Sequence, residues 1–169
     1  MRKFLLFAIA MLMVVPAFAQ KMSKEEKAKA AQLAFDGAVE SIDAKTWVIV
    51  PESYTNSDGM FENNIEDTNF LSAEGTNMFS QGYIVCDNGK TNVSDISEYE
   101  VTYDKKGNLT LRIVVHGNYW KGTYKITMKK AGGNMVDVIF NPQNGTTRKF
   151  TGPLVPLAGA KYTKRANPL

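Results

Sequence analysis

Side chains able to do bond-making chemistry are few and scattered. His116 is the single histidine of the chain and Cys86 its single cysteine. A general base, a metal centre or an activated nucleophile each needs a second group held close by. His116 closes the apolar run "LTLRIVVH". Glu100 and Asp137 are its nearest acidic candidates by sheet order, and no spacing ties either to it. It reads as a surface or turn histidine. Cys86, in "GYIVCDNGK", has no neighbouring histidine or second cysteine and reads as inert and partly buried. Asp58, Glu62, Glu66 and Asp67 in "NSDGMFENNIED" raise calcium. Their spacing does not match the twelve-residue loop with a terminal bidentate glutamate, so a solvated loop is expected. No triad spacing, histidine pair or glycine-rich phosphate loop is present. The expectation is a protein with no catalytic residues, no metal and no cofactor, and not an enzyme.

Binding chemistry is better supplied. Tyr99, Leu111, Trp120, Gly122, Tyr124 and Phe140 fall on strand positions that share one inward phase, and they are the candidate lining of a ligand pocket. Tyr103 belongs to the same aromatic set, with Phe70 and Phe79 as further members. Tyrosine and tryptophan carry a polar tip on an apolar body, and Gly122 removes a side chain beside Trp120. That combination suits a small apolar cavity with a few directional contacts. The same residues can instead fill a core solid.

Strands must position this set. In "ISEYEVTYDKKGNLTLRIVV", Tyr99, Val101 and Tyr103 alternate in one phase, as do Leu109, Leu111, Ile113 and Val115. Pairing Tyr103 with Leu109 leaves Asp104 to Asn108 as the loop and sets Val101 on Leu111 and Tyr99 on Ile113. A slip of one residue would turn every apolar side chain outward. A two-residue Gly117-Asn118 turn then continues the sheet, placing Val115 opposite Trp120, Ile113 opposite Gly122 and Leu111 opposite Tyr124. Arg112, Lys121 and Lys125 face outward. After "KKAGGN", the run "MVDVIF" turns Val136, Val138 and Phe140 inward and Asp137 outward. "RKFTGPLVPL" is interrupted by proline and reads as an edge strand. Arg148-Lys149 reads as a solvated basic pair.

Upstream, Ser23 followed by Glu26 is a capping box, and Ala28, Ala31, Phe35, Ala38 and Ile42 make a thin apolar stripe. One helix over 23–41 is expected, weakened at Gly37. "TWVIV" is a strand ending at Pro51, "SYTNSDGMFENNIEDTN" a loop, "NFLSA" and "TNMFSQGYIV" short strands, and "DNGKTNVSD" a turn-rich link. Helices are too few for parallel crossovers. The chain is therefore mainly β: a small antiparallel, lipocalin-like β-barrel with one N-terminal helix, or alternatively a β-sandwich.

The first residues, "MRKFLLFAIAMLMVVPAFAQ", combine Arg2 and Lys3 with an apolar run and the small-x-small Ala17-Phe18-Ala19. Residues 1–19 read as a secretory signal peptide, too short to span a bilayer, leaving 20–169 as one domain. No cysteine follows the run, so a soluble periplasmic or extracellular protein without a lipid anchor is expected. Removing Arg2 and Lys3 from the 20 basic residues leaves 18 against 17 acidic ones, a formal charge of +1. Such a balance argues against nucleic acid as a partner. A lone cysteine provides no internal disulfide, so the core must stabilise the fold unaided.

The phrases "YEVTYDKKGNLTLRIVVHG", "YKITM" followed by "MVDVIF", and "FTGPLVPL", together with "WVIVPES" after the helix, resemble the DUF4251 family of exported Bacteroidetes proteins. The resemblance covers roughly residues 25 to 162. It implies a lipocalin-like barrel, carries no established activity, and so transfers no catalytic residue. Many relatives resemble lipoproteins, whereas this chain lacks the cysteine to be acylated. Two functions compete: a binding module for a small apolar or amphipathic ligand, and a structural or protein-interaction module of the cell envelope with a solid core.

Overall fold

The structure, a computed structural model, describes residues 23–56, 58–86 and 88–166. The expected signal peptide lies outside the described residues. Helix α1 spans Lys24–Asp43. The expected capping box forms: Glu26 N donates to Ser23 Oγ at 3.1 Å and Ser23 N to Glu26 Oε2 at 2.8 Å. The helix docks through Phe35, Ala38 and Ile42, with Ala31 and Ala34 against the Gly133 turn, while residues 23–30, Ala28 among them, stay exposed. Alanines bury too little apolar area to hold the first turns down.

The strands follow as β1 (Thr46–Ile49), β2 (Ser53–Thr55), β3 (Phe61–Asn63), β4 (Phe70–Glu74) and β5 (Asn77–Gly82), then a short helix α2 (Tyr83–Cys86). After it come β6 (Asn88–Tyr103), β7 (Leu109–His116), β8 (Gly122–Met128), β9 (Met135–Pro142) and β10 (Arg148–Pro156). Neighbouring strands run antiparallel in the order β1-β4-β5-β6-β7-β8-β9-β10, and β10 pairs back onto β1. The result is a closed eight-stranded barrel rather than a sandwich, with one N-terminal helix across it. Closure removes the open edges that a sheet of this length would otherwise present.

The first hairpin has the expected register, with Tyr103 on Leu109, Val101 on Leu111 and Tyr99 on Ile113. Its loop is locked by Asp104, whose carboxylate accepts from the N–H groups of Lys106 and Asn108 at 2.8 and 2.9 Å. The second hairpin differs from expectation. Residues 117–121 form a five-residue connection, and the rungs are Val115–Gly122, Ile113–Tyr124, Leu111–Ile126 and Leu109–Met128. The two-residue turn is therefore wrong by two positions. An offset of two keeps every side chain on its expected face. The wider loop lets Trp120 leave the ladder and fold over the rim. Gly117 is pressed against β6, where a Cβ would lie 2.6 Å from Val93 O.

Four other expectations are corrected. Residues 88–95, within the expected link "DNGKTNVSD", are strand, because their polar side chains are satisfied by the barrel: Asn92 Nδ2 donates to Ser80 O at 3.3 Å and Ser94 Oγ to Trp120 O at 2.8 Å. Residues 83–86 form α2 instead of prolonging β5. Residues 53–63 contain the small β2–β3 hairpin, turned by Asn56, whose Oδ1 accepts from Asp58 N and Met60 N. Finally, β10 is no edge strand. It pairs with β9 on one side and with β2 and then β1 on the other. Pro153 occupies the last rung with β9, where the missing N–H costs least. Gly152 is required beside it, since a Cβ would sit 2.5 Å from Val50 O where the chain kinks into Pro51.

The last described residues cross the outside of β4, β5 and β6 as a strap. Gln81, fully buried, donates from Nε2 to Thr163 O at 2.8 Å and accepts at Oε1 from Arg165 N at 2.8 Å. Tyr162 lies on Phe70 with ring centroids 4.7 Å apart. Lys164 bridges to Glu74 at 2.8 Å and covers the Phe79 ring. Phe70 is thus buried from the outside of the barrel, not from its interior.

Candidate functional site

Of the six residues expected to line a pocket, Leu111, Tyr124 and Phe140 are fully buried on the inward face. Tyr124 and Phe140 meet across a β8–β9 rung with ring centroids 4.2 Å apart. Trp120 stacks on Phe140 at 4.7 Å, and its Nε1 donates to Tyr124 Oη at 2.7 Å. Burial drives the Tyr124 phenol far above its usual value, and the indole bond only partly offsets that. Gly122 belongs to the same cluster. The room left by its missing side chain is taken by neighbours, since a Cβ there would lie 2.3 Å from Asn141 O and 2.8 Å from Phe140 Cζ. Trp120 borders a shallow recess of about 200 Å³ shared with Asn118, Tyr119, Lys121, Pro142, Gln143 and Asn144.

Tyr99 stands apart from this cluster, two strands from Tyr124 with Ile113 between them. It accepts from Trp47 Nε1 at 2.9 Å and donates to Ile42 O at 2.8 Å. Burial pushes its phenol up to about 12, with the Trp47 bond opposing. Its role is to tie α1 to the barrel. Tyr103 is exposed and takes no part in the interior.

The reactive side chains are dispersed. His116 is exposed at the end of β7 and sits opposite Asp95 in the ladder, not beside Glu100 or Asp137. Cys86 is buried more deeply than expected, and burial pushes its thiol up to about 11 despite favourable contacts from Asn88, Asn92 and Arg148. A thiolate is suppressed under such conditions. Glu62 accepts from Tyr54 Oη and Asn56 Nδ2, both at 2.5 Å, which holds its carboxyl below the usual range. Asp67 faces the strap through Thr163. Among the described residues, no three His, Cys, Asp or Glu side chains stand together as a metal site.

A different set of residues gathers where β2, α2 and the β9–β10 connection meet at the rim. Tyr54, Thr55, Asn56, Tyr83, Ile84, Thr146, Thr147 and Arg148 surround a recess of about 430 Å³. Arg148 shares the inward phase of Phe150, Gly152 and Leu154 on β10 and stands opposite Phe140. It is half-buried, whereas Lys149 is exposed, so the two are not one solvated pair. The signal for this lay in the alternation of "RKFTG", where Arg148 keeps step with Phe150. The contribution of Tyr54, Tyr83 and Thr147 was not legible, because three separate chain segments supply them.

No family model matches the chain, and no curated protein matches it. Among solved structures, its fold is similar to the crystal structure of a DUF4251 family protein from Bacteroides eggerthii DSM 20697. The likeness has a TM-score of 0.65 at 21% sequence identity, and covers 80% of this chain and 99% of that one. The overall fold is therefore one that this chain shares with a protein of that family.

Proposed function

We propose that the chain is an exported, non-catalytic member of the DUF4251 family, and that it binds a small amphipathic ligand at the rim of a filled, lipocalin-like barrel. The observation that carries the reading is the recess of about 430 Å³ at the rim. Its volume falls in the range of small-molecule sites, and its walls mix aromatic and aliphatic side chains with a few hydroxyl, amide and guanidinium groups. Arg148 stands across a β9–β10 rung from Phe140, which packs in turn on Trp120 and Tyr124, so one wall of the recess is backed by a packed aromatic cluster. Dispersed titratable groups support the absence of catalysis, since acid–base chemistry needs its partners within hydrogen-bond reach. Export is supported by the leader-like first residues, and among the described residues no helix is long and apolar enough to cross a membrane.

Backbone NMR during titration with a panel of small amphipathic compounds tests this. Shifts are expected at the amides of Tyr54, Tyr83, Ile84 and Thr147, and Tyr83→Ala should weaken binding about tenfold, or ~1.4 kcal/mol. A panel that moves none of these amides removes the reading. A second reading has its own observation: Met60, Phe61 and Ile65 are 59%, 69% and 96% exposed around the β2–β3 hairpin. Shifts confined to those three on mixing with envelope proteins would favour a protein-interaction module instead.

A further inference from the structure

We propose that the rim recess selects a ligand bearing a carboxylate on a short apolar or aromatic body, with Arg148 receiving the carboxylate. This rests on the rim-binding reading above and names its ligand class. Arg148 is the cationic side chain among the residues lining the recess. It lies on the inward phase of β10, next to Phe140, and its charge reaches the buried Cys86 thiol. A guanidinium presents a planar fork of donors that matches the two oxygens of a carboxylate. Partial burial strengthens that attraction, because the surrounding walls lower the local dielectric.

The remaining lining divides by chemistry. Thr146 supplies a hydroxyl and Asn56 the second N–H of an amide whose first goes to Glu62, both suited to an anionic headgroup, while the Thr147 hydroxyl donates to Asn141 Oδ1 at 3.1 Å. Tyr83 is 71% exposed and Ile84 lies beside it on α2, which together offer a face for the apolar body. Two of the lining residues already serve a carboxylate, since Glu62 is held by Tyr54 Oη and Asn56 Nδ2. Arg148 is itself engaged within the protein, so an incoming carboxylate shares or displaces that contact. The affinity is accordingly modest, and the discrimination between charged and neutral headgroups is the quantity to measure.

Phenylacetate and its neutral isostere phenylacetamide serve as the probes, titrated separately into the protein with backbone NMR as readout. Phenylacetate should bind at least ~10-fold more tightly, a difference of ~1.4 kcal/mol. Arg148→Gln should abolish the preference, by weakening phenylacetate binding to the level of phenylacetamide or below. Arg148→Lys keeps the charge, loses the fork, and should retain a preference reduced several-fold, with a native-like spectrum confirming the fold. Equal binding of the two probes, or a preference that survives Arg148→Gln, overturns the carboxylate assignment and leaves the rim reading intact. Failure of both probes to move the amides of Tyr83, Ile84 and Thr147 overturns the two together.

Discussion

The hydroxyl of Tyr99 accepts from a fully buried indole and donates to the last turns of α1. Tyr99→Phe would leave Trp47 Nε1 without its acceptor, and an unsatisfied buried donor costs about 1–3 kcal/mol. The loss should appear as a lower urea midpoint. Trp47→Phe in the same background should add less than it does alone, because the two share one bond. Glycines separate by surroundings in a comparable way. Gly122→Ala drives a methyl into Asn141 O and the Phe140 ring and should cost about 1–3 kcal/mol. Gly37 has open space around it on α1, so Gly37→Ala should stabilise by roughly 0.5–1 kcal/mol. Equal effects at the two positions would contradict the packing at the rim.

At the scale of elements, the strap decides how the outside of β4–β6 is covered. Truncation after Gly159 removes Tyr162 from Phe70 and withdraws Thr163 and Arg165 from Gln81, which keeps only Thr68 O and Thr91 Oγ1. Two buried hydrogen bonds and the re-exposure of part of a phenylalanine amount to about 2–4 kcal/mol. Thermal unfolding should therefore shift down. Gln81→Ala should cost clearly less in the truncated protein than in the full chain. An unchanged midpoint would mean that the strap rests on the barrel without holding it. The hairpins were legible where apolar alternation was strong, as in Tyr99–Val101–Tyr103 against Leu109–Leu111–Ile113. They were misread where polar residues occupy inward positions: Asn92 and Ser94 look like loop until Ser80 O and Trp120 O are placed against them. The second turn was misplaced by two residues because alternation fixes the face but not the rung, and the longer loop is held by contacts from other strands: Phe140 and Tyr124 on the Trp120 ring and Ser94 on its carbonyl.

At the scale of the whole molecule, Cys86, Tyr99 and Tyr124 all hold their protons more tightly folded than unfolded, chiefly through burial. Above about pH 9 the unfolded chain therefore binds fewer protons than the native one, and stability falls as pH rises. The urea midpoint should be level from about pH 6 to 8 and drop between about pH 9 and 11. Over the lower range Cys86 should react with thiol reagents only on unfolding. A midpoint that rises with alkali would refute the buried neutral phenols. By itself the sequence determined the helix with its capping box, the period-two strands and the mainly β class, since these depend on neighbours a few residues apart. Closure through β10 onto β1, the strap, and the meeting of Tyr54, Tyr83, Thr147 and Arg148 were decided only by the tertiary structure. Each of these joins residues tens of positions apart, and it is the burial of their shared surfaces, not any local preference, that brings them together.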